Sequence, residues 1–128
     1  MADVAITNSK IAALNADQAL AFNAATEDTA DTAQKFIYTP TGRDSKICIG
    51  IQVGPTNGAV AYSIGAGVGV FGAAAKTGTT AQATTDIIQI ETGRYMKADG
   101  TIEITFTPAT GKKLKTDHAL NVFVIELQ

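Results

Sequence analysis

The clearest signal along the chain is alternation. Ile47, Ile49, Ile51 and Val53 alternate with Lys46, Cys48, Gly50 and Gln52. Successive side chains of a strand point to opposite faces, so this period predicts a strand with one face in a core. Asn57-Gly58 follows. Both residues tolerate positive φ, which predicts a hairpin between 46–53 and a strand starting near residue 59. From there Val60, Tyr62, Ile64, Ala66, Val68 and Val70 alternate with Ala59, Ala61, Ser63, Gly65, Gly67 and Gly69. The pattern predicts a continuing strand, apolar on one face and nearly bare on the other.

The C-terminal third repeats the theme. "DIIQIETGRYMK" (86–97) reads as a strand with a break at Gly93, and Asp99-Gly100 as a hairpin turn. "TIEITFTP" (101–108) sets Ile102, Ile104 and Phe106 on one face and ends at Pro108. "ALNVFVIEL" (119–127) is apolar on both faces, which predicts a central strand covered on both sides.

Nearer the N-terminus the pattern weakens. Residues 34–42 read as a strand ending in a Pro/Gly turn, 18–24 as a further strand, and 3–7 as a short edge strand. In 8–17, Ser9 is a candidate N-cap, with Ile11 and Leu14 spaced for one helical turn; an irregular arm fits as well. The expected fold is all-β, an antiparallel β-sandwich or small barrel of about seven or eight short strands. It divides into an N-terminal arm or edge segment, 1–17, and a single β domain, 18–128.

Composition narrows the function classes. The 128 residues carry a net charge of -2, and only 17% are charged. No global field draws the chain to nucleic acid or an anionic membrane. No basic, then apolar, leader opens the sequence, and no apolar run is long enough to span a bilayer. These features predict synthesis in a reducing cytoplasm. So sparsely charged a surface is what partial cover by a partner would leave.

One cysteine, Cys48, and one histidine, His118, are too few for a His/Cys zinc site or an internal disulfide. Gly67-Val-Gly69-Val-Phe-Gly72 matches G-x-G-x-x-G, with Asp86 further on. A dinucleotide site needs those glycines to open a helix, whereas here they continue a strand-like alternation toward a Thr-rich stretch. Lys76-Thr77 lacks the preceding glycine of a P-loop.

His118 beside Asp117 reads as a solvent-exposed loop residue, and Cys48 as a small residue on a sheet surface. Glu27, Asp28 and Asp31 read as an acidic solvated loop without calcium-site spacing. Lys112, Lys113 and Lys115 read as a solvated basic tip. Glu126, between Ile125 and Leu127, is expected either to point outward at an edge or to pair with a cation such as Arg94 or Lys97. No residue qualifies as catalytic, cofactor-binding or metal-ligating, and no cofactor is expected.

Taken together, "AQKFIYTPTGRDSKICIGIQV", "IIQIETGRYMKADGTIEITF" and the closing "NVFVIELQ" give a style of chain that resembles the small capsid decoration (cement) proteins of tailed phages and prophages. The likeness lies in length, Ala/Gly/Thr richness, β-hairpin spacing and the final apolar strand. It implies a non-enzymatic virion protein made in the host cytoplasm and bound on the capsid surface. The implied partners are the major capsid protein and further copies, as a homotrimer, with no nucleic acid or membrane. The N-terminal arm and the Gly-lined face of 59–69 are the candidate contact surfaces. A tail or head-fibre component shares this style, and a carbohydrate- or other ligand-binding β-sandwich module is the rival from another class.

Overall fold

The computed structural model describes residues 2–11, 17–41 and 46–126. Its strands are β1 (Val4–Ala5), β2 (Asn23–Ala24), β3 (Gln34–Tyr38), β4 (Lys46–Gln52), β5 (Val60–Ile64), β6 (Lys76–Thr80), β7 (Thr85–Glu91), β8 (Ile102–Thr107) and β9 (Asn121–Glu126). A single helical turn, α1 (Thr92–Tyr95), follows β7. One sheet has the order β1-β3-β8-β5-β6 and the other β2-β9-β4-β7. All pairings are antiparallel except β1 with β3. The architecture is a β-sandwich.

The alternating positions build the core as the pattern requires. Ile47, Ile49 and Ile51 face inward opposite Val122 and Val124 of β9 and Ile88 and Ile90 of β7. From the other sheet come Phe36, Tyr38, Val60, Ile64, Ile102, Ile104 and Phe106, all buried. Phe36 and Phe106 meet edge to face, with centroids 5.1 Å apart, a preferred aromatic geometry. β9 is covered on its outer face too. Phe123 lies over Gly50, where a Cβ would collide with its ring, and Phe22 closes over Phe123 at 5.4 Å.

The connections differ from the expected hairpins. Asn57 and Gly58 do have positive φ, 75° and 90°, yet β4 and β5 belong to different sheets. β7 and β9 occupy both sides of β4, so no edge of β4 is left for β5. Gly54 turns the chain away, its N–H donating to the His118 carbonyl at 2.7 Å. Asp99-Gly100 likewise makes a tight turn, closed by Lys97 N–H on the Thr101 carbonyl at 2.8 Å. Because α1 intervenes, that turn leads from β7 in one sheet to β8 in the other. Among the described residues, β5 and β6 are the only consecutive strands that pair.

One strand ends early and another is added. The alternation from Val60 stops being a strand at Ile64, and β6, absent from the expected elements, pairs with β5 instead. Its sequence KTGTT offers no apolar alternation to read.

The N-terminal segment ties the sheets together. β1 pairs with β3, the Ile6 N–H donates to the Ile37 carbonyl at 2.9 Å, and Asn8 bridges to Val124 of the opposite sheet. Ser9 and Ile11 then donate to the carbonyls of Val124 and Glu126, each at 3.0 Å. Ser9 is thus no helix cap: its Oγ accepts the Ala21 N–H at 2.8 Å. The remainder of the helical-turn reading, 12–16, lies outside the described residues.

Candidate functional site

Most of the titratable groups singled out by the sequence are tied into the fold. His118 is not an exposed loop residue but fully buried, 0% exposed. The loop after β8 is pulled inward by Leu114, itself buried, so the polar run around it is only partly solvated. The His118 Nε2 accepts the Ala109 N–H at 3.1 Å, which fixes a neutral ring with its proton on Nδ1. Nδ1 has no partner of hydrogen-bond geometry among the described residues. Burial holds the imidazole below its ordinary range, against smaller opposing effects of Asp117 and the nearby Gly58 backbone. The Asp117 carboxylate accepts the Lys113 N–H at 2.8 Å, so it does not orient the ring.

The acidic and basic loops meet each other. Asp28 accepts a hydrogen bond from the Thr116 hydroxyl, and Asp31 accepts the Gly111 N–H at 2.6 Å. The Thr116 hydroxyl, with smaller help from Lys113 and Lys115, holds the Asp28 carboxyl below its usual range. Among the described residues no group of three or more His, Cys, Asp and Glu side chains comes together to hold a metal. Cys48 is half-buried on the outer face of its sheet, opposite Gln89 and Ile125.

Glu126 does not point outward, and neither Arg94 nor Lys97 is its partner. It is 2% exposed and accepts from Asn8 Nδ2 at 2.8 Å, the Tyr38 hydroxyl at 2.9 Å and the Thr41 hydroxyl at 2.7 Å. Arg94 and Lys97 are engaged elsewhere, with Glu91 at 3.3 Å and Glu103 at 2.5 Å. Burial first, and the Glu126 carboxylate second, push the Tyr38 hydroxyl pKa well up. Asn8, Tyr38 and Glu126 come from three separate segments, so this node locks the N-terminal segment across both sheets.

What remains accessible is a finger. After β5 the chain runs out through residues 65–75 and returns as β6. Its base is fastened by Gly67 N–H on the Ala73 carbonyl at 3.0 Å, Ala73 N–H on Arg94 at 2.8 Å and Val68 N–H on Met96 at 3.2 Å. Gly72 N–H on the Gly69 carbonyl at 2.9 Å closes the tip. Gly67 must be glycine, since a Cβ would run into the Arg94 carbonyl. The G-x-G-x-x-G run is therefore a fastened loop, and no helix springs from it. On the Gly-lined face the backbones of Glu103 and Arg94 lie against Gly65 and Gly67, while Gly69 is open.

The finger holds apolar side chains out of the fold. Val68, Val70 and Phe71 are 65%, 96% and 82% exposed. Sequence alternation had placed Val68 and Val70 on the inner face of a strand; the strand ends before reaching them. Their setting between Gly67, Gly69 and Gly72 was the available signal for a loop. Val70 and Phe71 border a shallow cleft with Glu91, Gly93 and Arg94. Beyond the cleft, Ile87 on the outer face of β7 is 64% exposed. The finger and β7 thus share one end of the sandwich.

No family model, no curated protein and no solved structure matches this chain. No helix among the described residues is long and apolar enough to cross a membrane.

Proposed function

We propose that this chain is a non-enzymatic structural protein of a tailed-phage particle, a decoration protein that binds the major capsid protein on the outside of the head. The finger is the observation that carries the reading: three large apolar side chains held out by a firmly fastened loop. Such exposure is costly in an isolated soluble domain and typical of a surface that meets a partner. The finger, rather than the N-terminal segment, is the docking element, because residues 4–11 use their backbone groups within their own fold.

Magnitudes fit a lattice partner. Fully burying one such side chain is worth roughly 1.5–3 kcal/mol, while association costs about 4–15 kcal/mol in lost freedom. One finger alone gives weak binding. A repeating shell overcomes this by offering many equivalent sites to copies that also touch one another.

The test is co-sedimentation of the purified protein with empty heads of the phage that carries its gene. The proposal predicts saturable binding at a fixed ratio to the shell subunit, lost in a Val70→Ser/Phe71→Ser double variant that still melts like the wild type. Absence of binding to both immature and expanded shells rules it out.

A further inference from the structure

A sheet edge is a row of unpaired backbone groups, and soluble proteins normally protect it. Here three of the four edges are protected. β1 and β2 are only two residues long, and residues 6–11 run on past β1 to bridge the two sheets. β6 carries Lys76 on its inward-facing register, opposite Ile64, and Gly78 beneath Tyr62. β7 is different. It is seven residues long, TDIIQIE, with three isoleucines and no Lys, Pro or Gly. Its two carboxylates, Asp86 and Glu91, stand toward opposite ends.

The direction of its backbone groups follows from the register. Val53 N–H donates to the Thr84 carbonyl at 3.0 Å, so 53 and 84 form a hydrogen-bonded pair. Such pairs alternate along an antiparallel ladder, which makes Ile51/Asp86, Ile49/Ile88 and Ile47/Ile90 the next ones. The N–H and C=O groups of Thr85, Ile87 and Gln89, and the N–H of Glu91, therefore turn to the free edge, while the Glu91 carbonyl opens α1. Among the described residues no backbone group meets them there.

We propose that a second copy of this chain covers this edge, β7 against β7, antiparallel and centred on Ile88. This register uses the whole strand. It sets Thr85 opposite the partner's Glu91, Ile87 opposite the partner's Gln89, and Asp86 opposite the partner's Ile90. No like charges meet. Ile87 and Gln89 are matched in both directions as an outward pair, and Thr85 meets the N–H of the partner's Glu91, whose carbonyl is held by α1. The two-fold axis is perpendicular to the sheet, so the apolar row Phe22, Phe123, Gly50 and Ile87 continues across the junction on the outer face. An isologous contact of this kind closes at two copies. One strand edge is a small interface, so the association is expected to be weak and visible only at raised protein concentration. The proposal does not depend on the capsid reading.

Analytical ultracentrifugation of the full chain, from micromolar to near-millimolar concentration, tests it. The wild type should pass from monomer to dimer. Gln89→Pro removes an outward N–H while leaving the β4 ladder its donors, and should weaken the dimer at least about tenfold. Thr85→Lys, placed opposite Glu91, should tighten it severalfold, and Thr85→Glu should loosen it severalfold. If Gln89→Pro fails to fold, the Thr85 pair decides alone. A chain that stays monomeric throughout overturns the proposal, as does a dimer indifferent to these changes or one in which the two Thr85 variants act with the opposite signs.

Discussion

The two flanks of the sandwich contrast in how they end. On one, residues 4–11 cross from β3 to β9, and Asn8, Tyr38 and Thr41 converge on the buried Glu126 carboxylate. On the other, β6 and β7 finish the two sheets, and among the described residues no strand crosses between them. Of the six large apolar side chains exposed among the described residues, Val68, Val70, Phe71 and Ile87 lie on that open flank and the finger beside it, and the less exposed Leu20 and Phe22 lie next to β2 on the other. The first flank spends its polar groups on joining the sheets. The second keeps unpaired backbone and apolar surface, which makes it the side fitted to meet other molecules.

The contrast can be broken most forcefully at Glu126. Glu126→Leu strips partners from Asn8, Tyr38 and Thr41 at once and should cost about 3 kcal/mol or more of unfolding free energy, read by urea denaturation. A cost below about 1 kcal/mol would mean that the closed flank is not held there. Gly67→Ala should cost about 1–3 kcal/mol, because the hydrogen-bonded finger base is forced off the Arg94 backbone to admit a Cβ. Amide exchange at Val68 and Ala73 should then quicken while that of β4 and β9 does not.

A smaller, pH-dependent effect comes from His118. Its folded pKa is lowered, so the unfolded chain binds the extra proton. Stability is full above the ordinary histidine value of 6.5 and falls as pH drops below it, by at most about 1.4 kcal/mol per unit, until the folded value is passed. His118→Asn should remove that slope between pH 6.5 and 5.5 in parallel denaturation series. The smallest effect belongs to the finger tip: Val70→Ser/Phe71→Ser should change stability by no more than about 0.5 kcal/mol, since neither side chain is packed. A larger loss would mean the finger serves the fold.

Much of the sandwich was legible because period two reports burial directly. β3, β4, β8 and β9 lie where alternation or apolar runs put them, and Ile102, Ile104 and Phe106 face inward as read. Period two says which face is buried but not which sheet a strand joins. The Asn57-Gly58 conformation was therefore readable and its hairpin was not, since the two sides of β4 are claimed by β7 and β9 from distant parts of the chain. β6 was missed because Thr, Gly and Lys give no alternation. The finger was missed for the opposite reason: Val68 and Val70 kept the alternation going after the backbone had left the sheet. His118 was misread because a polar neighbourhood, KTDH, conceals the inward pull of Leu114 and Leu120, both buried.

Hydrogen exchange read residue by residue, at low and at high protein concentration, tests the asymmetry of the two flanks most directly. The outward amides of Ile87 and Gln89 should exchange freely when dilute and become protected when concentrated, while those of Ile6, Ser9 and Ile11 stay protected at both. Equal protection of Ile87 and Gln89 at every concentration, or rapid exchange of Ile6 and Ser9 at any, would contradict the division between a flank that closes the fold and a flank that binds.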